Sequence, residues 1–218
     1  MAERFELIVF DWDGTLMDSA GAIVRAMQAA ARDLGLPAPS DERARYVIGL
    51  GLADALQHAV PELPAADHAL MVERYRHHYL ATDHELSLFE GVKTLIAALA
   101  GRGCMLGVAT GKSRHGLNRV LQHTGLAPYF HATRCADECF SKPHPAMLEE
   151  LMDELGVLPE RTLMVGDTTH DLQMARNART AALAVSFGAH PRAALEAEQP
   201  LDCLDSPQAL SRWLLDAI

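Results

Sequence analysis

Asp11-Trp12-Asp13-Gly14-Thr15 directly follows the apolar run Leu7-Ile8-Val9-Phe10. A short apolar run bounded by a glycine turn reads as a buried strand, here residues 5–10. Two carboxylates spaced i, i+2 therefore stand where a strand ends. One can attack while the other moves a proton. Gly14 permits a sharp turn, and Thr15 offers a hydroxyl and an amide to an anion. An Asx-type turn closing the strand is the competing reading of the same five residues.

The rest of the chain supplies the context. From Met17 to about Leu86 the pattern is helical. Ser19 is a plausible N-cap for a helix to about Leu34, closed by Gly35 and Pro37. Ser40-Asp41 opens a second helix, Ile48-Gly49-Leu50-Gly51 is broken by glycine, and helical character resumes over Leu52–His58. Ala65–Leu80 reads as a further helix with Leu70, Tyr75 and Tyr79 among its apolar positions. No strand pattern falls in this block.

After Phe89-Glu90-Gly91 strand and helix alternate. Strands are predicted at Cys104–Ala109, Phe130–Thr133, Thr162–Val165 and Ala182–Ser186. Helices are predicted at Val92–Ala100, Ser113–Thr124, Pro145–Gly156 and Asp171–Ala178, with a last one from Ser206-Pro207. This alternation predicts an α/β fold, a doubly wound parallel sheet with helices on both faces. The helical block sits between the first strand and the others. Ligands in such sheets bind beyond the carboxyl ends of the strands, where an insertion can act as a lid.

Composition narrows the partners. The chain has 218 residues, 49% of them hydrophobic, enough for a full core. A formal charge of −10 disfavours nucleic acid and anionic membranes. No apolar run approaches the ~20 residues of a membrane span. Met1-Ala2-Glu3-Arg4 lacks a signal-peptide core, so a cytoplasmic location is expected. The sequence carries no reading of oligomeric state. Cys104, Cys135, Cys139 and Cys203 lack zinc-type spacing and read as free thiols. Lys93, Lys112 and Lys142 are the only lysines.

Three further polar segments fall after predicted strands or beside them. Thr110-Gly111-Lys112-Ser113 combines a hydroxyl, a close-approach glycine and a helix start, which suits a phosphate oxygen. Ser141-Lys142-Pro143 places a lysine before a helix, as a point charge for phosphate. Gly166-Asp167-Thr168-Thr169-His170-Asp171 sets two carboxylates four apart, able to face the same way. Each segment alone has an ordinary explanation: an N-cap, a solvated lysine, a helix-start charge. Their joint order is harder to explain that way.

In these motifs, Asp-x-Asp-Gly-Thr with a downstream Gly-Asp-x-x-x-Asp, the chain resembles the haloacid dehalogenase-like superfamily. The resemblance runs from Phe10 to about Ala178. It is closest to the phosphoglycolate-phosphatase-like subfamily, Mg²⁺-dependent phosphatases with a helical cap. It implies a core of residues 1–16 and 88–218 with a cap of residues 17–87. Asp11 would be the nucleophile that forms an aspartyl-phosphate, and Asp13 the acid and base. Thr110, Gly111, Lys142, Gly14 and Thr15 would form or shape the phosphate site. Asp11, the Asp13 backbone carbonyl, Asp167 and Asp171 would hold or support Mg²⁺. The implied substrate is a small phosphorylated metabolite, with phosphoglycolate the first example.

Other chemistries occur in the superfamily. Asp13 weakens a dehalogenase reading, and the lack of lysine between residues 16 and 92 weakens a Schiff-base phosphonate hydrolase. A β-phosphoglucomutase-like isomerase and a non-catalytic binding module remain as alternatives. Arg25, Arg45, Gly49, Gly51 and the cap histidines are candidates for substrate selection. Arg179 stands where the subfamily usually has glycine, so it must avoid a left-handed backbone or bear its strain. His170 is expected on the surface or facing the cap, and His77-His78 on a solvated helix face.

Overall fold

The computed structural model describes residues 5–218; the lead-in Met1–Arg4 lies outside them. The chain runs β1 (Leu7–Phe10), α1 (Ala20–Asp33), α2 (Asp41–Tyr46), α3 (Leu52–Ala59), α4 (His68–Thr82), α5 (Val92–Gly101) and β2 (Met105–Thr110). It continues α6 (Arg114–Thr124), β3 (Ala132–Cys135), α7 (Ala146–Leu155), β4 (Thr162–Gly166), α8 (Thr169–Asn177) and β5 (Ala181–Val185). It ends α9 (Arg192–Ala197), β6 (Cys203–Leu204) and α10 (Pro207–Ala217).

All six strands are parallel, in the order β3-β2-β1-β4-β5-β6. The central strand β1 is buried throughout, which its unbroken apolar run requires. Successive side chains leave opposite faces of a strand. Ile8 and Phe10 accordingly join one core layer with α5, α6 and α10. Leu7 and Val9 join the other, with α7 and α8. The chain leaves β1 toward β2 in one direction and returns to β4 in the other. Asp11, Thr110 and Asp167 thus meet at the carboxyl ends where the strand order reverses.

Helices α1–α4 share a separate apolar cluster that includes Ile23, Met27, Leu56 and Met71. The two chain crossings into this block pair with each other: Asp18 N–H donates to Ser87 O at 3.0 Å, and Phe89 N–H to Leu16 O at 3.0 Å.

The structure differs from the sequence reading in several places. β6 and α9 were not expected; two residues and six residues are too short to show a period. The helix expected from Ala65 opens as a 3₁₀ turn and becomes α-helical at His68. Leu70, read as one of its apolar positions, is exposed. The fourth-motif helix begins at Thr169 and not Asp171, because Thr168 is the N-cap. Arg179 does adopt a left-handed backbone, with φ 61°. A non-glycine residue there costs roughly 1–2 kcal/mol, partly offset by the lower chain entropy of arginine. Arg179→Gly is expected to raise stability by about 0.5–1 kcal/mol with kcat unchanged, which chemical denaturation and steady-state assays would check.

Candidate active site

The site is built on one short loop and three strand ends. Trp12 turns into the core, fully buried, with its ring edge-on to Phe130. Its neighbours Asp11 and Asp13 turn the other way. Leu16 N–H and Met17 N–H both donate to Trp12 O, and Gly14 N–H donates to Met17 O, which closes the turn. Gly14 takes φ 83°, and a Cβ there would lie 2.1 Å from Asp167 Oδ2. Gly14 is therefore needed for the backbone to pass Asp167.

Asp11, Asp167 and Asp171 are all fully buried. Each can place a carboxylate oxygen within 4.8 Å of the other two. Lys142 Nζ lies 2.7 Å from Asp11 Oδ1 and 2.6 Å from Asp171 Oδ1. One ammonium thus pairs with two of the three carboxylates. Burial pushes Asp11 up to about 7, with Lys142 acting against it and Asp171 with it. Burial also raises Asp167, and its charged neighbours Asp11 and Asp171 add to that. For Lys142 burial acts downward, but the two carboxylates outweigh it and hold the ammonium protonated.

Asp167 is held in place by the Thr15 hydroxyl, which donates to Oδ1 at 2.7 Å, and by Ala189 N–H, which donates to Oδ2 at 2.7 Å. The Thr15 hydroxyl, expected to meet an anion, is thus engaged by Asp167. Asp171 serves two structures at once. Its Oδ2 accepts from Thr168 N–H and hydroxyl, completing a capping box at the start of α8. Its Oδ1 faces Lys142. Asp11 Oδ2 is buried with no hydrogen-bond partner among the described residues.

Asp13 lies outside the carboxylate cluster. Its Oδ1 accepts from the Ser19 hydroxyl at 2.6 Å and pairs with Lys112 Nζ at 3.0 Å. Lys112 in turn donates to the Tyr79 hydroxyl of α4 at 3.1 Å. Ser19 does stand at the N-cap of α1, but its side chain caps nothing. The sequence signal for a helix cap was instead a partner for Asp13. Ser19 and Ala189 lie outside the motifs, and Lys112 lies inside the Thr110–Ser113 segment but was given no role of its own. Lysine scarcity was a signal for Lys112, and Gly188 before Ala189 was one for the loop after β5. A Cβ on Gly188 would lie 2.2 Å from Asp167 Oδ2.

Thr110 is buried, and its oxygen accepts from Lys112 N–H at 3.2 Å, which leaves its own hydrogen to donate. Gly111 does something the phosphate reading did not foresee. A Cβ there would lie 2.5 Å from Leu50 O and 2.6 Å from Gly49 O. The bare glycine lets the loop between α2 and α3 seat on the core. Gly111→Ala is expected to leave the protein folded but to lower kcat/KM by about 10²-fold, because a displacement near 1 Å spoils alignment. Circular dichroism with steady-state kinetics separates the two effects.

The same loop region is fastened on its other side. His170 Nε2 and His190 Nε2 lie 2.7 and 3.0 Å from Tyr46 O. His170 therefore faces the end of α2, and is buried. His77 is exposed, and His78 pairs with Asp33 at 2.7 Å. Among the described residues no disulfide joins Cys104, Cys135, Cys139 or Cys203.

Three clustered buried carboxylates with a single ammonium beside them fit a hard divalent cation such as Mg²⁺. Nitrogen and sulfur donors are absent from that described cluster.

This sheet order and site define a class of enzyme, and comparison with known proteins identifies it. The haloacid dehalogenase-like hydrolase family model matches residues 8–185. The chain belongs to that family and is a phosphatase-type hydrolase within it. Among its relatives, the protein named probable phosphatase IndB of Dickeya dadantii is 36% identical over 92% of this chain and 89% of its own. A phosphoglycolate phosphatase of Vibrio vulnificus is 32% identical over 94% of this chain and 93% of its own. The crystal structure of a predicted phosphoglycolate phosphatase from Haemophilus somnus superposes with TM-score 0.83 and 25% identity, covering 94% and 96% of the two chains. No helix of the described residues is long and apolar enough to cross a membrane.

Proposed function

We propose that this protein is a Mg²⁺-dependent phosphatase of small phosphorylated metabolites, acting through an aspartyl-phosphate on Asp11. The observation that carries the reading is the free Asp11 Oδ2 at the end of β1, with its other oxygen fixed by Lys142. Phosphoglycolate, named for several relatives, is the reference substrate.

Asp11 Oδ2 attacks phosphorus, forming an O–P bond as the bond to the substrate alcohol breaks. Asp13, oriented by the Ser19 hydroxyl, gives its proton to the departing oxygen. Asp13 then takes a proton from water as that water attacks the same phosphorus. The Asp11–phosphorus bond breaks, and the products are the alcohol and inorganic phosphate. Lys142 and the Thr110 hydroxyl offset the charge on the phosphoryl oxygens, and Gly111 and Thr15 shape the loops around them. Covalent catalysis splits one displacement into two steps. Asp11, Asp167, the Asp13 backbone carbonyl and Asp171, directly or through water, would hold Mg²⁺. Bound there, the ion supplies the positive charge that lets a carboxylate approach a phosphate dianion.

The residues divide into a core of 1–16 and 88–218 and a cap of 17–87 in this reading. The separate apolar cluster of α1–α4 and the paired crossings at Leu16–Asp18 and Ser87–Phe89 support it. Cysteines not joined in disulfides among the described residues suit a reducing compartment and support a cytoplasmic location. A phosphate-release assay with Mg²⁺ and with chelator tests the function. Asp13→Asn is expected to lower release from esters of ordinary alcohols by about 10²–10⁴-fold. Release that is indifferent to chelator contradicts the reading.

A further inference from the structure

Next to Asp13 the site opens into a chamber of about 820 Å³ between cap and core. Its lining includes Ile23 and Met27 of α1, Ile48 of the cap loop, and Val72, Tyr75 and Tyr79 of α4. Cavities of about 300–1,000 Å³ are the size that encloses a drug-sized ligand. A two-carbon acid esterified to phosphate would fill a small part of it and leave water against apolar walls, an arrangement that burial of a larger apolar group relieves.

The wall has a definite shape. Tyr75 and Tyr79 are one helical turn apart and stack, with ring centroids 5.9 Å apart and planes at 17°. Tyr75, half-buried, turns its ring to the chamber beside Tyr79. Lys112 spans the mouth, bonded to Asp13 on the phosphate side and to Tyr79 on the chamber side. Arg76, exposed, lies at the rim. Arg25 and Arg45, the cap arginines the sequence offered, line neither this chamber nor the groove beside Lys142.

Resting on the phosphatase reading, we propose that the preferred substrate is a phosphate monoester whose alcohol carries a planar ring. The ring lies in the Tyr75–Tyr79 chamber, and Lys112 meets polar groups next to the ester. Nucleoside 5′-monophosphates and aryl phosphates share this chemistry, and phosphoglycolate and glycerol phosphate lack it.

The test is kcat/KM with Mg²⁺ for all four kinds of ester, on wild type and Tyr75→Ala. We expect ring-bearing esters to exceed phosphoglycolate at least 10-fold in wild type. We expect that ratio to shrink at least 10-fold in Tyr75→Ala. Whichever ring-bearing class ranks higher identifies the source. Phosphoglycolate hydrolysed as well as or better than every ring-bearing ester overturns the inference and leaves the phosphatase reading standing. An unchanged ratio in Tyr75→Ala overturns the assignment of the chamber. Failure to release phosphate from any ester overturns the phosphatase reading, and the inference falls with it.

Discussion

Asp11→Asn is expected to cut turnover by at least about 10⁴-fold, as loss of a nucleophile does elsewhere, while making the chelated protein more stable. Asn is nearly isosteric, so the fold should survive. Its amide cannot attack phosphorus as a carboxylate does. The stability effect follows from charge. Three buried carboxylates cluster, with Lys142 paired to two of them, and burial raises Asp11 to about 7 from its ordinary 3.8. Between about pH 4 and pH 7 the folded state therefore holds more protons than the unfolded one. That contribution is complete below the unfolded value and is lost as pH rises through 7. Asp167, also raised by burial, acts in the same direction. Chelated wild type should accordingly melt lower at pH 8 than at pH 5.5. Asp11→Asn should flatten this slope and gain about 0.5–2 kcal/mol at pH 8. Thermal melts at both pH values, with chelator, decide it. A variant less stable than wild type at pH 8 contradicts the charge argument.

Lys142→Met is expected to destabilise the chelated protein by about 3–5 kcal/mol, roughly a 10 °C fall in Tm. The lysine side chain is fully buried, and its two ion pairs of 2.7 and 2.6 Å are the only positive contacts of the carboxylate cluster among the described residues. Removing it leaves three carboxylates together without a counter-charge. Added Mg²⁺ should restore more stability to the variant than it adds to wild type, because a cation bound by the folded state stabilises by mass action and here relieves a larger repulsion. Turnover should remain low with Mg²⁺ present, since the phosphoryl oxygens lose their fixed ammonium. Equal Mg²⁺ shifts in the two proteins would show that Lys142 does not balance the cluster.

Residues whose position is set by local sequence were readable in advance. Asp11 and Asp13 could be placed because a buried strand, a turn and two carboxylates lie within ten residues. Thr110, Lys142, Asp167 and Asp171 could be ordered because each follows a strand or precedes a helix. The doubly wound sheet followed from the same alternation. Roles that depend on residues distant in sequence were not readable. Ser19 has every local mark of an N-cap, yet its hydroxyl serves Asp13. Gly111 reads as a phosphate loop, and the room its missing side chain also leaves for carbonyls of Gly49 and Leu50 has no local sequence mark. Lys112 needed the return of α4 to acquire Tyr79 as a partner. β6 and α9 were too short for periodicity to register.

The central claim is that Asp11 carries the phosphoryl group, and direct trapping tests it. An ester with a good leaving group, such as p-nitrophenyl phosphate, needs little help from an acid to depart. Water attack on the aspartyl-phosphate still needs a base. In Asp13→Asn the first step should therefore outrun the second, and the covalent species should accumulate. The measurement is acid quench of Asp13→Asn with p-nitrophenyl phosphate and Mg²⁺, followed by peptide mass spectrometry. A phosphoryl mass increment is expected on the peptide containing Asp11, absent when Asp11→Asn is added. Release of p-nitrophenol with no increment on that peptide, or an increment on another residue, would contradict it.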